Sequence, residues 1–197
     1  MRKTLAAGAL TVLFSLGAMA QSKNSWEIDP AHANAQFTVR HLGISNVQGE
    51  FTKVTGTLEL DDQDVTKSKV IATIDVNSID TRNSDRDADL KSDHFFDVAK
   101  FPTMTFQSKK ITRSSDGRLQ MAGDLTIHGV TREVTFDVEG PSAPISVWNG
   151  VRRGASATTK INRQDFGLTY NGKLGSGELM IGNDVVIALD IEFTKKS

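Results

Sequence analysis

Apolar and polar side chains alternate with a period of two along most of the chain, the signature of strands with one dry and one wet face. Phe37, Val39 and His41 fall on one face, with Gln36, Thr38 and Arg40 on the other. The same alternation carries Val54 to Leu60, Val70 to Val76, Met104 with Phe106, Leu119 to Ile127, Val134 to Val138, Ala155 to Ile161 and Val185 to Phe193. This predicts about eight antiparallel strands. Turn residues separate them. Ser115-Asp116-Gly117 and His128-Gly129 read as hairpin tips, and Asn149-Gly150 as a further turn. One stretch breaks the pattern: Ser84 to Lys91 is charged and lacks β-branched residues. A short helix near residues 84–92 is expected there, opened by a capping box of Ser84 with Asp87. Two adjacent aromatics, Phe95 and Phe96, follow it and suggest a flap over the sheet.

The first twenty residues read differently. Arg2 and Lys3 precede an apolar run from Leu5 to Leu16, and Ala18-Met19-Ala20 is an A-x-A cleavage signal. These are the parts of a secretory signal peptide, and the run is short for a bilayer span. Cleavage after Ala20 leaves one domain at residues 21–197, without stable membrane insertion. In a two-membrane bacterium the destination would be the periplasm.

Charge and cysteine content narrow the chemistry. Two of the 23 basic side chains lie in the leader, so 21 face 24 acidic ones in the mature chain. A surface so evenly mixed offers no footprint for nucleic acid. There is no cysteine, which excludes disulfides, thiol catalysis and cysteine-ligated zinc. No hydrolase elbow or phosphate-binding loop is present, and the four histidines have no metal-binding spacing. No catalytic residue, metal or cofactor is therefore assigned. An active site converging only in space, with His41 or His94 beside Asp93 or Asp97, stays open. Arg163 and Asp165 read as a turn ion pair.

So many half-dry strands must close into a sandwich or a barrel. Gly56, Ala72, Gly123, Ala155 and Ala157 on the dry faces leave room for a cavity, or for the taper of a filled core. If there is a cavity, its walls come from the inward residues. The candidates are Phe37, Val39, Phe51, Phe95, Phe96, Met104, Phe106, Met121, Phe136, Trp148 and Phe166, with Val54, Leu58, Ile74 and Leu189. His41 joins them as an inward polar group that would meet a ligand head or a buried carbonyl.

Five motifs in order resemble those of the YceI-like family. They are Trp26 to His32 with Phe37 to Gly43 and Val47 to Phe51; Leu90 to Asp97 with Phe101 to Phe106; Gly123 to Thr131; Asn162 to Leu168; and Gly182 to Val185. The resemblance implies an all-β fold, an extended lipocalin-like antiparallel barrel. It also implies a hydrophobic tunnel for a polyisoprenoid or a quinone-like amphiphile. A filled barrel with a stress-related structural role, and a homodimer, remain alternatives.

Overall fold

The structure, a computed structural model, describes residues 24–195 except 173, 174, 176 and 178. The expected signal peptide lies outside the described residues.

Eleven strands form one antiparallel sheet: β1 (Asn24–His41), β2 (Ser45–Phe51), β3 (Val54–Leu60), β4 (Lys69–Asp75), β5 (Ile79–Asp80), β6 (Thr103–Arg113), β7 (Leu119–Ile127), β8 (Val130–Glu139), β9 (Ile145–Val147), β10 (Gly150–Asn162) and β11 (Ile181–Lys195). Eight of them close a barrel in the order β1-β3-β4-β6-β7-β8-β10-β11, and β11 returns to β1. These are the eight strands that the alternation marks. The two expected hairpins form: β6 meets β7 around residues 114–118, and Ile127 pairs with Val130 across His128-Gly129. Both residues of that tight loop have positive φ, the geometry that matches strand twist.

β1 is long enough to serve two neighbours. Its start pairs with β3, Trp26 opposite Leu58, and its end pairs with β2, Phe37 opposite Gly49. Along its other edge it pairs with β11. There it advances from Ile28 to Ala33 while β11 moves only from Phe193 to Ile191, so Asp29 to His32 loop outward.

Beyond β2 the wall is not a strand. β2 pairs with β5 for only two residues, and the helix α1 (Ser84–Lys91) and the turns after it take over. No residue of α1 is fully buried; Leu90 packs against the core and polar bonds hold the other side. The Thr81 amide donates to Asp87 at 2.9 Å, and Arg86 donates to the Thr81 hydroxyl at 2.8 Å. The expected capping box is corrected here. Asn83, not Ser84, is the N-cap and accepts from the Arg86 amide, which leaves Asp87 for Thr81.

Two inward glycines also read differently in space. A Cβ on Gly123 would lie 2.5 Å from the Phe106 ring, and one on Gly56 would meet the Ile71 carbonyl and the Ile28 side chain. Their missing side chains make room for neighbours. Ala72, Ala155 and Ala157 do border open space.

Candidate ligand cavity

The inward faces do not fill the barrel. They line a cavity of about 260 Å3, just below the usual size of ligand pockets. Every barrel strand contributes to its wall, for example Ile28, Leu58, Ile74, Met104, Met121, Phe136, Ala157 and Leu189. Among the described residues, Gln36, Ser68, Thr105 and Ser156 are the uncharged polar residues on the wall, and Arg163 is the charged one.

Aromatic side chains shape the interior. Phe37 packs against Phe51 at 5.8 Å between ring centroids, and Phe51 meets Phe96 edge-on at 5.9 Å. Phe106 meets Phe136 edge-on at 5.3 Å. Such tilted and edge contacts are the favoured aromatic geometries.

At one end, side chains from α1 and its following turns border the cavity. Leu90, Phe95 and Phe96 reach the wall. The outer side of Phe95 carries half-exposed Tyr170, 5.0 Å away, and Tyr170 stacks on His94 at 5.3 Å. Phe101 anchors the same segment on His128 in the β7–β8 turn. At the other end Trp26 is buried, with the Arg153 guanidinium 5.1 Å over its ring and Asp62 bonded to Arg153 at 2.9 Å.

Thirteen candidate residues lie on the wall: Phe37, Val39, Phe51, Phe95, Phe96, Met104, Phe106, Met121 and Phe136, with Val54, Leu58, Ile74 and Leu189. Three do not. Trp148 is 96 % exposed, because it sits in the two-residue turn joining β9 to β10. Phe166 is buried in the core beside the cavity, on the 3-10 turn Arg163–Phe166. His41 is half-buried where the β1–β11 register shifts after Val39, which takes it off the wall.

The polar readings change more. Arg163 makes no ion pair with exposed Asp165. It is buried, and its guanidinium donates to the carbonyls of Gly182, Leu168 and Tyr170. Burial pulls its pKa down. His94 contacts Asp89 at 3.2 Å rather than Asp93 or Asp97, and Asp97 accepts from Lys100 at 2.7 Å. His94, Asp89, Asp93, Asp97 and Lys100 all lie off the cavity wall.

The looped-out part of β1 builds a cluster that spacing does not reveal. His32 contacts Asp29 at 3.0 Å, and the ligand atoms of Asp29, His32 and Glu192 lie within 4.8 Å of one another. Arg152 donates to Asp29 and sits 3.5 Å from Glu192, so an internal cation already serves the carboxylates. Bonds from His32, Arg152 and the Ala31 amide hold the Asp29 carboxyl at about 2, below its ordinary 3.8. An open polar cleft of about 750 Å3 lies against this segment, lined by His32, Glu50, Glu139, Asp190 and Glu192 among others.

The sequence matches the YceI-like domain family over residues 26–193. The chain belongs to the YceI-like family. A UPF0312 protein of Vibrio cholerae is 34 % identical over 174 residues, covering 87 % of this chain and 92 % of the relative. The Campylobacter jejuni YCEI protein has a crystal structure similar to this fold, with a TM-score of 0.67 and 31 % identity, over 80 % of this chain and 90 % of that one. A polyisoprenoid binding domain from Saccharophagus degradans shares the fold at a TM-score of 0.64 and 15 % identity, over 88 % of this chain and all of that one. No described helix of this YceI-like chain is long and apolar enough to cross a membrane.

Proposed function

We propose that this YceI-like protein is an exported, non-enzymatic carrier that holds the apolar chain of a polyisoprenoid or quinone-like amphiphile in its barrel. The apolar cavity inside the barrel carries this reading. Its wall is aliphatic and aromatic on every barrel strand, and among the described residues it bears one charge. Transferring each CH2 of a hydrocarbon tail from water into such a space is worth about 0.8 kcal/mol, so a long tail needs few polar contacts. Met104 and Met121 on the wall supply side chains that adapt to a ligand of variable shape. The polyisoprenoid-binding domain with the same fold supports this choice of ligand class. The leader-like sequence of residues 1–20 supports export to the periplasm, and removal of the ligand from the membrane by a water-borne carrier is a task suited to that compartment.

The test is uptake. Protein stripped by organic extraction is titrated with Nile red, and the dye is then displaced with a polyprenol. The reading expects saturable, one-to-one dye binding and complete displacement. Dye binding that no polyprenol or quinone reverses would contradict it.

A further inference from the structure

The turn joining β9 to β10 is Trp148-Asn149, closed by Val147 paired with Gly150. Among the described residues nothing covers the indole: Trp148 is 96 % exposed, and Ile145 on the same hairpin is 59 % exposed. The space around the tip is open, since a Cβ on Gly150 would meet nothing within 4 Å. The turn itself does not call for a tryptophan. Two-residue hairpin turns are served by Asn, Asp and Gly, and a large apolar ring held in water is unfavourable.

The chain around the indole is uncharged. From Gly140 to Val151 there is no Asp, Glu, Lys, Arg or His. The β6–β7 tip at the same end of the barrel is built the opposite way. There Arg118 donates to Asp116 at 2.6 Å, and Arg113 donates to the Gly117 carbonyl at 2.9 Å. The uncharged segment also begins at the cavity. Pro141 lies on the cavity wall. The next residue is fixed in place: Arg153 donates to the Ser142 carbonyl at 2.8 Å, and the Gly154 amide donates to the Ser142 hydroxyl at 3.0 Å. A firmly held, charge-free segment therefore runs from the cavity wall to the exposed indole.

Area decides what such a tip can meet. One aromatic side chain buries about 150–250 Å2, whereas a stable protein interface takes about 800 Å2 from each partner. The tip is too small to hold a second copy or a folded partner. A bilayer surface needs no shaped complement, and tryptophan concentrates at the membrane–water boundary. Resting on the carrier reading above, in which the cargo comes from a membrane, we propose that the β9–β10 hairpin docks the barrel reversibly on a lipid bilayer. Trp148 and Ile145 then sit among the headgroups, and the Pro141 end of the cavity faces the lipid.

The test uses exported protein whose mass excludes residues 1–20, mixed with phosphatidylcholine vesicles that hold no polyprenol. Wild-type protein is expected to sediment with the vesicles, and its tryptophan emission to move to the blue and be quenched by brominated acyl chains. Trp26 is buried beneath Arg153, so the change reports Trp148. Trp148→Ser should lower vesicle partition at least about tenfold, the loss expected for one large apolar side chain. Ile44→Ser, at the exposed β1–β2 turn of the opposite barrel end, should leave partition unchanged. Salt at about 1 M should not detach the protein, because the tip carries no charge. Wild-type protein that stays in solution or shows no quenching would overturn the proposal. So would equal losses in the two variants, or binding that requires anionic lipid. A dimer that Trp148→Ser dissociates would assign the tip to a second copy and overturn it as well. The quenching is read on wild-type protein, so it decides even if a variant misfolds. Vesicle binding by protein that takes up neither Nile red nor a polyprenol would sink the carrier reading and leave the docking in place. Uptake without vesicle binding would overturn the docking alone.

Discussion

Ala157 of β10 lies directly opposite Leu189 of β11, and both border the cavity. The small side chain at 157 is therefore a determinant of free volume. Ala157→Leu should fill part of the space. Stability should stay level or rise by about 0.5–2 kcal/mol, as cavity-filling changes commonly do. Ligand affinity should fall at the same time. Urea denaturation and a polyprenol competition titration on the same sample would measure both.

Phe95 and Phe166 are both buried aromatics, yet only Phe95 borders the cavity. Phe166→Ala should cost about 3–5 kcal/mol of stability, the usual price of emptying a packed aromatic site. Phe95→Ala should cost less, because open space already adjoins the ring, and it should speed ligand release. Equilibrium unfolding together with stopped-flow dissociation separates the two residues.

Gly123 gives its space to Phe106, whose ring lies 2.5 Å from where a Cβ would stand. Gly123→Ala should overpack the wall and cost about 1–3 kcal/mol. A shift in urea midpoint with an unchanged slope would report it.

Asp29 makes stability depend on acidity. Its carboxyl is held at about 2 in the fold against an ordinary 3.8. The unfolded chain therefore takes up this proton first as pH falls. The stabilisation is complete above 3.8 and is lost as pH drops from there through about 2. Thermal melts across that range should show wild-type protein converging on Asp29→Asn as the medium becomes more acid.

Parts of this fold are legible in the sequence for a physical reason. A strand with one wet and one dry face writes its orientation into alternate positions, so the eight barrel strands can be read directly. β2 is largely exposed, with only Phe51 buried, so Ser45–Phe51 carries no such rhythm. Wall residues on the strands, such as Met104, Met121 and Phe136, inherit the alternation. Trp148 and His41 do not follow from it: one lies in a turn and the other just past a register shift. Arg163 and the Asp29 cluster are illegible for another reason. The acceptors of Arg163 lie five to nineteen residues further along, and Arg152 is 123 residues from Asp29. Only the closed barrel brings them together.

The central claim is that the barrel carries an apolar chain. The most direct measurement is native mass spectrometry of the protein isolated from its own cells, followed by organic extraction and lipid analysis of what is released. The expected result is a single stoichiometric mass increment that extraction removes and that proves to be an isoprenoid or a quinone-like amphiphile. Protein that is bare from its own cells, and that stays bare after incubation with such lipids, would contradict the account.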